Sequence, residues 1–366
     1  MLSLLLILLL CVLVQVGYTF YYFYSLAHYT APEPTANQLP VSVIISAHNE
    51  YQNLQQLLPA LLAQDYAIFE VVVINDRSTD ETADLLREWQ AQYSQIRVVT
   101  VYDTPAEFNS KKYALTLGIR VARYEYLLLT DADCKPLTNK WIAAMQSSFS
   151  TGADIILGYS PYLKLPGFLN NLIRYETLLT AIQYLSFSLK NNAYMAVGRN
   201  VAYTKTCFYQ TKGFASHIKF LGGDDDLFVQ NAVAHSSPAI AISTNAQTVS
   251  IPKQTYSEWI TQKRRHLRVG LQYKWTDRLR IGTFMLSNII FYIILLVMLL
   301  LQQYLWLLGI LFFVRGIVLL TAYARIARKL NEKLPVIGIV FMDAAYFLHY
   351  LFLGVSVVLF KKVRWK

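Results

Sequence analysis

Carboxylates stand directly after apolar runs at several places in the chain, where they could bind a metal ion. Thr130-Asp131-Ala132-Asp133 follows the apolar run 126–129, and Asp76 follows another such run. Alternate side chains of an extended segment point the same way, so Asp131 and Asp133 can approach one another. Close carboxylates repel each other unless a cation lies between them, and hard divalent ions prefer oxygen ligands. This spacing alone predicts a divalent-cation site and a solvated loop with incidental acids equally well, and the motifs that follow shift the balance toward the cation site.

A second acidic cluster offers a proton acceptor. The run Gly222-Gly223-Asp224-Asp225-Asp226 precedes an apolar helical segment. Acids at a helix start need no catalytic role to be favourable, because the helix dipole already stabilises them. One of them, held near a reacting hydroxyl, would serve as a general base. Successive residues at a helix start point about 100° apart, so only one of the three acids can face an acceptor well.

Basic residues cluster in Gln262-Lys263-Arg264-Arg265-His266, within a predicted amphipathic helix. A basic helix beside a membrane commonly contacts anionic lipid, and we expect this of some of these residues. Arg265 could equally face a diphosphate, because a guanidinium pairs well with phosphate oxygens. Gly198-Arg199-Asn200 could contact a phosphate or an acceptor, and the sequence alone does not choose between the two.

Histidines and cysteines give weaker signals. His217 and His235 have no second His, Cys or acid at metal-binding spacing, so we interpret them as loop or surface residues. Cys134 lacks a companion base and is a poor candidate for a nucleophile. The chain has 3 cysteines in all, too few and too scattered for a disulfide framework, which predicts free thiols.

The elements that must position these residues alternate between strands and helices. Apolar runs at 41–46, 71–74, 96–101 and 126–129 are separated by helical patterns. The runs are continuously apolar, as expected of strands that are buried on both faces in a parallel sheet. In open sheets of this kind, ligands bind at the carboxyl ends of the strands. The fold class predicted is α/β, Rossmann-like, with a mainly parallel sheet.

The composition indicates a membrane protein. Charged residues make up 15% of the chain and hydrophobic residues 55%, whereas soluble domains have roughly 25% charged residues. Mean hydropathy is +0.33. These values exclude disorder and a wholly soluble protein. The net charge of +10 could suggest nucleic acid, but the basic excess lies beside hydrophobic stretches. We therefore expect a membrane partner and no nucleic acid.

Hydrophobic segments occur at both ends of the chain. Leu2–Tyr18 carries no charge and runs into an aromatic stretch, which favours an uncleaved anchor over the alternative, a signal peptide. Near the other end, segments 284–301 and 304–320 predict a helical hairpin, and 336–360 is a further apolar stretch. Arg315 and Asp343 would lie at similar depths and are predicted to form an ion pair within the membrane.

The distribution of basic residues predicts the orientation. The clusters at 263–280 and 325–333 should lie on the cytoplasmic side. This gives an integral protein of the cell or inner membrane, with an external N-terminus and with residues 28–281 facing the cytoplasm. Four crossings would place the basic C-terminal tail outside, against the positive-inside tendency. The stretch 336–360 could therefore be a hairpin or a re-entrant segment instead of a span.

Taken in order, these motifs resemble glycosyltransferase family 2, the inverting nucleotide-sugar enzymes with a GT-A fold, over about residues 40–270. The similar segments are the opening strand and turn at 41–50, the strand end at 73–80, the helix with Lys112, the DxD at 130–133 and the acids Asp224-Asp225. Gln262 to His266 resembles the QxxRW signature of membrane-embedded synthases and of ceramide glucosyltransferase. His266 departs from that signature, because it stands where tryptophan is expected.

The resemblance implies a role for each of these residues. On the donor side, Asp76 would bind the base or ribose of the nucleotide, Asp131 the ribose or metal, and Asp133 a Mg²⁺ or Mn²⁺ ion on the diphosphate. Asp225 would act as the general base, with Asp226 as the alternative. Further substrate contacts would come from Lys112, Gln262, Arg265 and His266.

The function that follows is transfer of a sugar from a nucleotide donor, UDP- or GDP-linked, to a lipid or membrane-associated glycan. A processive polysaccharide synthase is the alternative enzyme, and a non-catalytic membrane scaffold is the alternative of another class. The predicted organisation comprises an anchor at 1–27, a linker at 28–40, a GT-A catalytic domain at 41–250, a basic interfacial segment at 251–281 and a transmembrane region at 282–366.

Overall fold

A computed structural model describes residues 1–31, 38–333 and 336–359. The chain forms two compact units. We call the first the sheet unit, which comprises Thr30–Leu163 and Asn191–Pro252. The second, the helical unit, comprises Met1–Tyr29, Lys164–Lys190 and Lys253–Lys366.

Strands and helices have the following bounds. The strands are β1 Val41–Ala47, β2 Phe69–Asp76, β3 Ile96–Val101, β4 Tyr126–Leu129, β5 Cys134–Pro136, β6 Ile155–Gly158, β7 Val201–Thr204, β8 Pro238–Ala241 and β9 Thr248–Ser250. The helices are α1 Leu2–Tyr18, α2 Tyr24–His28, α3 Tyr51–Leu62, α4 Thr82–Gln92, α5 Ser110–Val121, α6 Trp141–Ser147, α7 Phe168–Ser188, α8 Lys205–Gln210, α9 Asp226–Ala232, α10 Tyr256–Gly270, α11 Trp275–Leu300, α12 Leu305–Lys329 and α13 Val336–Leu359.

The sheet unit is built on a 7-stranded sheet in the order β3-β2-β1-β4-β7-β6-β8. β1 pairs in parallel with β2 and β4, and β2 with β3, while β7 runs antiparallel to both its neighbours. All residues of β2 are buried, as the continuous apolar pattern predicts. The predicted α/β fold with a mainly parallel sheet is confirmed, with β5 and β9 forming a small separate ribbon.

One edge of this sheet collects the polar strand ends. β2, β1 and β4 are adjacent and parallel, so the residues that follow them emerge side by side. Helix α5 packs closely beneath this edge, because Gly118 has no side chain to separate the helix from the sheet. A Cβ atom built at Gly118 would lie 2.4 Å from Ile74 Cδ1 on β2. This close packing fixes the first turn of α5 beside the polar edge.

The helical unit contains three segments that are long and apolar enough to cross a membrane, within the described ranges. They are Leu2–His28, Trp275–Leu300 and Leu305–Lys329. The first joins α1 and α2 through the π-helical turn Thr19–Phe23. The predicted hairpin between the other two is present, and it turns through Gln302 and Tyr304, which both have positive φ angles (52° and 54°).

Helix α13 corrects one expectation. It runs without interruption from Val336 to Leu359, so the hairpin considered within segment 336–360 does not form. A mainly apolar sequence without an internal Pro satisfies its own backbone hydrogen bonds best as a helix. The basic tail 361–366 lies outside the described residues.

The predicted ion pair between α12 and α13 is confirmed. Arg315 Nη2 lies 2.7 Å from Asp343 Oδ2. The hydroxyl groups of Tyr175 and Tyr292 donate to the same carboxylate at 2.5 Å each, and Arg315 also donates to Asn288 Oδ1 at 2.7 Å. Both charges are therefore compensated by hydrogen bonds inside the helical unit, as buried charges require.

A second buried ion pair joins α7 and α10. Glu176 accepts from Lys263 Nζ at 2.8 Å and from Trp259 Nε1 at 3.3 Å. His349 of α13 stacks on Trp259, with ring centroids 4.7 Å apart. Helix α7, which the sequence assigns to the domain at 41–250, thus belongs to the helical unit and anchors α10 there.

Candidate active site

The DxD acids follow β4 and lie close together. Asp131, Asp133 and Cys134 each offer one possible ligand atom, and these three atoms all lie within 4.8 Å of one another. Burial, together with the charge of Asp131, raises the pKa of Asp133. A cation between the two carboxylates would remove this repulsion. The two acids therefore fit a Mg²⁺ or Mn²⁺ ion, which prefers carboxylate oxygens.

Cys134 contributes little to such a site as a thiol. Its Sγ donates to Asp133 Oδ1 at 3.4 Å. Burial, followed by the charges of Asp131 and Asp133, raises the pKa of this thiol well above its usual value. The protonated thiol is neither a strong metal ligand nor a nucleophile. This agrees with the interpretation of Cys134 from sequence.

Lys111, at the start of α5, bridges the DxD and the second acidic cluster. Its Nζ lies 2.8 Å from Asp131 Oδ1 and 2.9 Å from Asp224 Oδ2. Burial disfavours the charged amine, but the two carboxylates outweigh it and raise the pKa of Lys111. Sequence reasoning missed this residue and selected Lys112 instead. Helix phase shows that only one of the two lysines can face the acids, because adjacent residues point about 100° apart, but it does not choose between them.

Lys112 makes different contacts. Its side chain is fully buried, and Nζ donates to the backbone carbonyls of His217 at 2.6 Å and Phe220 at 2.9 Å. Burial lowers the pKa of Lys112 to about 8. Its predicted contact with the donor stays a prediction, since its hydrogen bonds here go to protein carbonyls.

Asp225 is held in a defined position at the start of α9. Its Oδ2 accepts from the Gly198 amide at 2.7 Å, and its Oδ1 accepts from the Asp226 amide at 2.8 Å. Burial and the neighbouring Asp224 raise the pKa of Asp225 to about 6. Asp224, in contrast, has a lowered pKa, because Lys111 outweighs the effect of burial. A carboxylate with a pKa near neutrality is suited to accept a proton at physiological pH.

These groups line one cleft of the sheet unit. The residues around it are Ser46, Lys111, Leu115, Leu129, Thr130, Asp131, Gly198, Val201, Asp224 and Asp225. The cleft therefore combines one DxD acid, the bridging lysine and the candidate base. Asp226 directly follows the lining residue Asp225, and Asp133 lies two residues after Asp131, but neither of them lines the cleft itself.

Asp76 lies at the end of β2, at the same edge of the sheet. It is buried, and Arg77 donates to its two oxygens at 2.8 and 3.3 Å. His48 Nδ1 is 2.6 Å from the Asp76 carbonyl oxygen, which ties the end of β1 to that of β2. Asp76 is not one of the residues that line the cleft, and its role in binding the base or ribose stays a prediction.

Two further charged residues belong near the DxD. Burial raises the pKa of Glu50, after β1, and Asp133 and Asp131 add to that effect, which places the three acids near one another. The charge of Arg199 partly offsets the rise in the pKa of Asp133, and its guanidinium lies 4.1 Å from the ring centroid of Tyr162. Within the described part of the chain, Arg199 Nη1 is buried without a hydrogen-bond partner. The sequence offered Arg199 only as one of several open possibilities.

Gln262, Arg265 and His266 lie on α10, in the helical unit. Their roles toward a donor or acceptor stay predictions. The lysine of the same motif, Lys263, has the internal partner Glu176 described above, so at least this residue of the basic cluster serves to hold the helix.

Comparison with known proteins connects this geometry to a family. Residues 42–210 match the family model described as glycosyl transferase family 2. Glycosyltransferase AglE of Haloferax volcanii is 29% identical over 121 residues, which cover 32% of this chain and 38% of the relative. The 4,4′-diaponeurosporenoate glycosyltransferase of Staphylococcus aureus is 24% identical over 253 residues, which cover 67% of this chain and 62% of the relative. The chain thus spans less than two thirds of the length of either relative.

A solved structure resembles the whole chain. The mannosyltransferase PcManGT from Pyrobaculum calidifontis, in complex with GDP-Man and Mn²⁺, superposes with a TM-score of 0.57 at 17% identity and covers 97% of this chain and 96% of its own. This likeness supports the fold assignment. Residues 42–210 are therefore similar to a glycosyl transferase family 2 domain, and the chain has the GT-A fold.

Proposed function

We propose that the protein transfers a sugar, with inversion, from a UDP- or GDP-linked donor to a lipid or membrane-associated glycan. The observation that carries the proposal is the cleft in which Lys111 joins Asp131 to Asp224, with Asp225 beside them. This arrangement provides a cation-binding acid on one side and a proton acceptor on the other, as single-step transfer of a sugar requires.

On the donor side, Asp131 and Asp133 would hold Mg²⁺ or Mn²⁺. When bound, such an ion would act as a Lewis acid that stabilises the charge of the departing nucleoside diphosphate. Arg199, with its buried and unpartnered Nη1 among the described residues, would donate to a phosphate oxygen of the same leaving group. Asp76 would bind the base or ribose. The GDP-Man and Mn²⁺ named for the structural neighbour support this assignment.

On the acceptor side, Asp225 would take the proton of the attacking hydroxyl. The amides of Gly198 and Asp226 orient its two oxygens, and its raised pKa suits proton uptake near neutral pH. Asp226 remains the alternative base. Lys111 keeps Asp224 ionised beside Asp225. This ion pair restrains the acidic cluster, and Lys111 does not take the proton of the acceptor hydroxyl.

The acceptor is proposed to arrive from the bilayer. Three helices of membrane-spanning length and the basic helix α10 support a lipid or membrane-bound glycan. A processive synthase is the second candidate. It is supported by a poly-β-1,6-N-acetyl-D-glucosamine synthase of Staphylococcus epidermidis that is 33% identical over 94 residues, 25% of this chain and 21% of that relative.

Mass spectrometry tests the proposal. The purified protein in lipid nanodiscs is incubated with Mn²⁺, membrane lipid extract and a panel of UDP- and GDP-sugars. Single transfer predicts a lipid product heavier by one sugar, and a processive synthase predicts a ladder of products. If no member of the panel is consumed, and neither UDP nor GDP binds with Mn²⁺ in calorimetry, the protein is a scaffold and the proposal fails.

A further inference from the structure

The loop that carries the acidic cluster has little rigidity of its own. Gly222 and Gly223 adopt consecutive left-handed conformations, with φ angles of 82° and 75°. Two adjacent glycines leave the backbone free to populate many other states. Asp225, three residues beyond Gly222, must nevertheless be held in a single position if it acts as a base. Contacts elsewhere in the loop have to supply that restraint.

The first turn of α5 supplies it. Lys112 Nζ donates to the carbonyls of His217 and Phe220, at 2.6 and 2.9 Å. The loop carbonyl of Ile218 accepts from the amide of Asn109, the N-cap residue of α5, at 2.9 Å. Three of the four carbonyls between residues 217 and 220 are thus bound by the start of one helix. The loop is fixed immediately before its two glycines.

A buried ammonium group is an expensive way to fill this space. Lys112 is 0% exposed and, among the described residues, takes part in no ion pair. Burial of a charged group is costly unless hydrogen bonds compensate for it. A methionine would fill a similar volume without that cost, but it could not bind two carbonyls. The use of lysine here therefore points to the loop carbonyls as its purpose.

We propose that Lys112 is a positioning residue for the transfer reaction: it holds the loop at 217–220 so that Asp225 stays against the Gly198 amide. This inference rests on the proposed function of Asp225 as the base. The two adjacent lysines of α5 then have complementary tasks. Lys111 binds the carboxylate of Asp224 directly, and Lys112 binds the backbone that leads to it.

The experiment compares Lys112→Met with Lys205→Met in the full-length protein in nanodiscs. Lys205 is a matched control, since its Nζ also donates to a backbone carbonyl, that of Ala122 at 2.7 Å, but at the opposite end of α5. Three quantities are measured: hydrogen–deuterium exchange of the amides at 217–226, affinity for UDP and GDP with Mn²⁺, and kcat with the nucleotide sugar that the wild type consumes.

Lys112→Met should accelerate exchange at 217–226 and lower kcat by about 100-fold, because a displacement of about 1 Å at a reacting group can cost that much. Nucleotide affinity should stay within about twofold of wild type, because Lys112 binds carbonyls of the loop and not the nucleotide. A tenfold change in affinity would correspond to about 1.4 kcal/mol. Lys205→Met should leave all three quantities unchanged. Lys112→Gln, which keeps N–H donors on a neutral side chain, should fall between Lys112→Met and wild type.

Equal exchange at 217–226 in Lys112→Met and wild type would overturn the inference, and so would unchanged kcat. A parallel loss of nucleotide affinity and kcat would assign Lys112 to the donor site instead. If Lys112→Met does not fold, the same three measurements on Lys112→Gln decide. The exchange measurement does not depend on activity. A wild type that consumes no nucleotide sugar therefore refutes the proposed function while the exchange data still test whether Lys112 restrains the loop.

Discussion

Asp225 is the residue on which the proposed chemistry depends most. Asp225→Asn keeps the shape and one acceptor oxygen but cannot take up a proton, so transfer should be abolished while binding of UDP or GDP with Mn²⁺ remains nearly intact.

The pH dependence gives a separate test of the same base. In the wild type, Asp225 must be ionised to accept a proton, and its pKa is raised to about 6. The value of kcat/KM should therefore rise with pH up to about 6 and level off above it, as a pH–rate profile of nucleotide release will show.

The matched substitution Asp226→Asn controls for the loss of one negative charge at the same helix start. It should preserve most of the activity and the pH profile. If Asp225→Asn turned over at the wild-type rate while Asp226→Asn did not, the base would be Asp226. That result would shift the assignment by one residue without changing the proposed reaction.

Arg199 offers a second test at the residue scale. Arg199→Met should weaken binding of a nucleoside diphosphate with Mn²⁺ by about tenfold or more, because a hydrogen bond to a charged group contributes about 1.5–3 kcal/mol. Binding of the corresponding monophosphate should change little if the contact is to the second phosphate. Titration calorimetry with UDP, UMP, GDP and GMP measures the difference.

Asp133→Ala is the control for this prediction, since it should remove the dependence on Mn²⁺ itself. If Arg199→Met weakened diphosphate and monophosphate binding equally, the guanidinium would act on the first phosphate or only through local structure. If it weakened neither, Arg199 would have no part in nucleotide binding.

At the scale of elements, the sequence predicted what lies within a contiguous motif and missed what depends on helix phase or tertiary packing. The DxD follows an apolar strand directly, so the proximity of Asp131 and Asp133 could be predicted from their spacing. Lys111 and Lys112 differ only in direction, which is set by how α5 packs through Gly118 against β2. Arg199 approaches Asp133 from a distant part of the chain, and no local pattern signals that approach.

Short strands were missed for a related reason. β6, β7 and β8 have four residues each, and their pairing partners are distant in sequence. Hydrophobic periodicity over so few residues does not distinguish a strand from a buried loop or helix segment. The parallel core at 41–129 was predicted correctly because its strands repeat with helices between them.

The buried pair Glu176–Lys263 gives a prediction at the same scale. Lys263→Met leaves the Glu176 carboxylate, 4% exposed, with Trp259 Nε1 as its remaining side-chain partner in the described structure. Removing one partner of a buried ion pair costs about 3–5 kcal/mol. The thermal midpoint of the protein in nanodiscs should therefore fall clearly.

The double variant Lys263→Met with Glu176→Gln removes the unpaired charge and should recover much of the lost thermal stability. Circular dichroism melting of wild type, both single variants and the double variant forms a complete cycle. Additive losses would show that the pair does not couple α7 to α10, and Lys263 would then be interpreted as a basic residue for lipid contact.

At the scale of the whole molecule, we predict the orientation in the membrane from the crossing segments together with the basic residues that flank them. The segment Leu2–His28 and helices α11 and α12 are long and apolar enough to cross. With an external N-terminus, the first crossing leads to the cytoplasm, α11 leads out and α12 leads back. Residues 325–333, which carry four basic side chains, then lie inside, as the positive-inside tendency requires.

Helix α13 decides the side of the C-terminus. Its 24 residues would extend about 36 Å at 1.5 Å per residue, enough for the roughly 30 Å hydrocarbon core. Asp343, inside this helix, is compensated by Arg315 and two tyrosines, so the charge does not prevent insertion. We therefore expect α13 to cross, which places Lys366 outside despite the basic tail.

Reporter fusions test the side of the C-terminus. Of two fusions after Lys366, alkaline phosphatase should be active and green fluorescent protein should not fluoresce. Fusions after Lys333 serve as the control and should fluoresce. Fluorescence at both positions would mean that α13 lies along the inner surface, and the four-crossing arrangement would then be wrong.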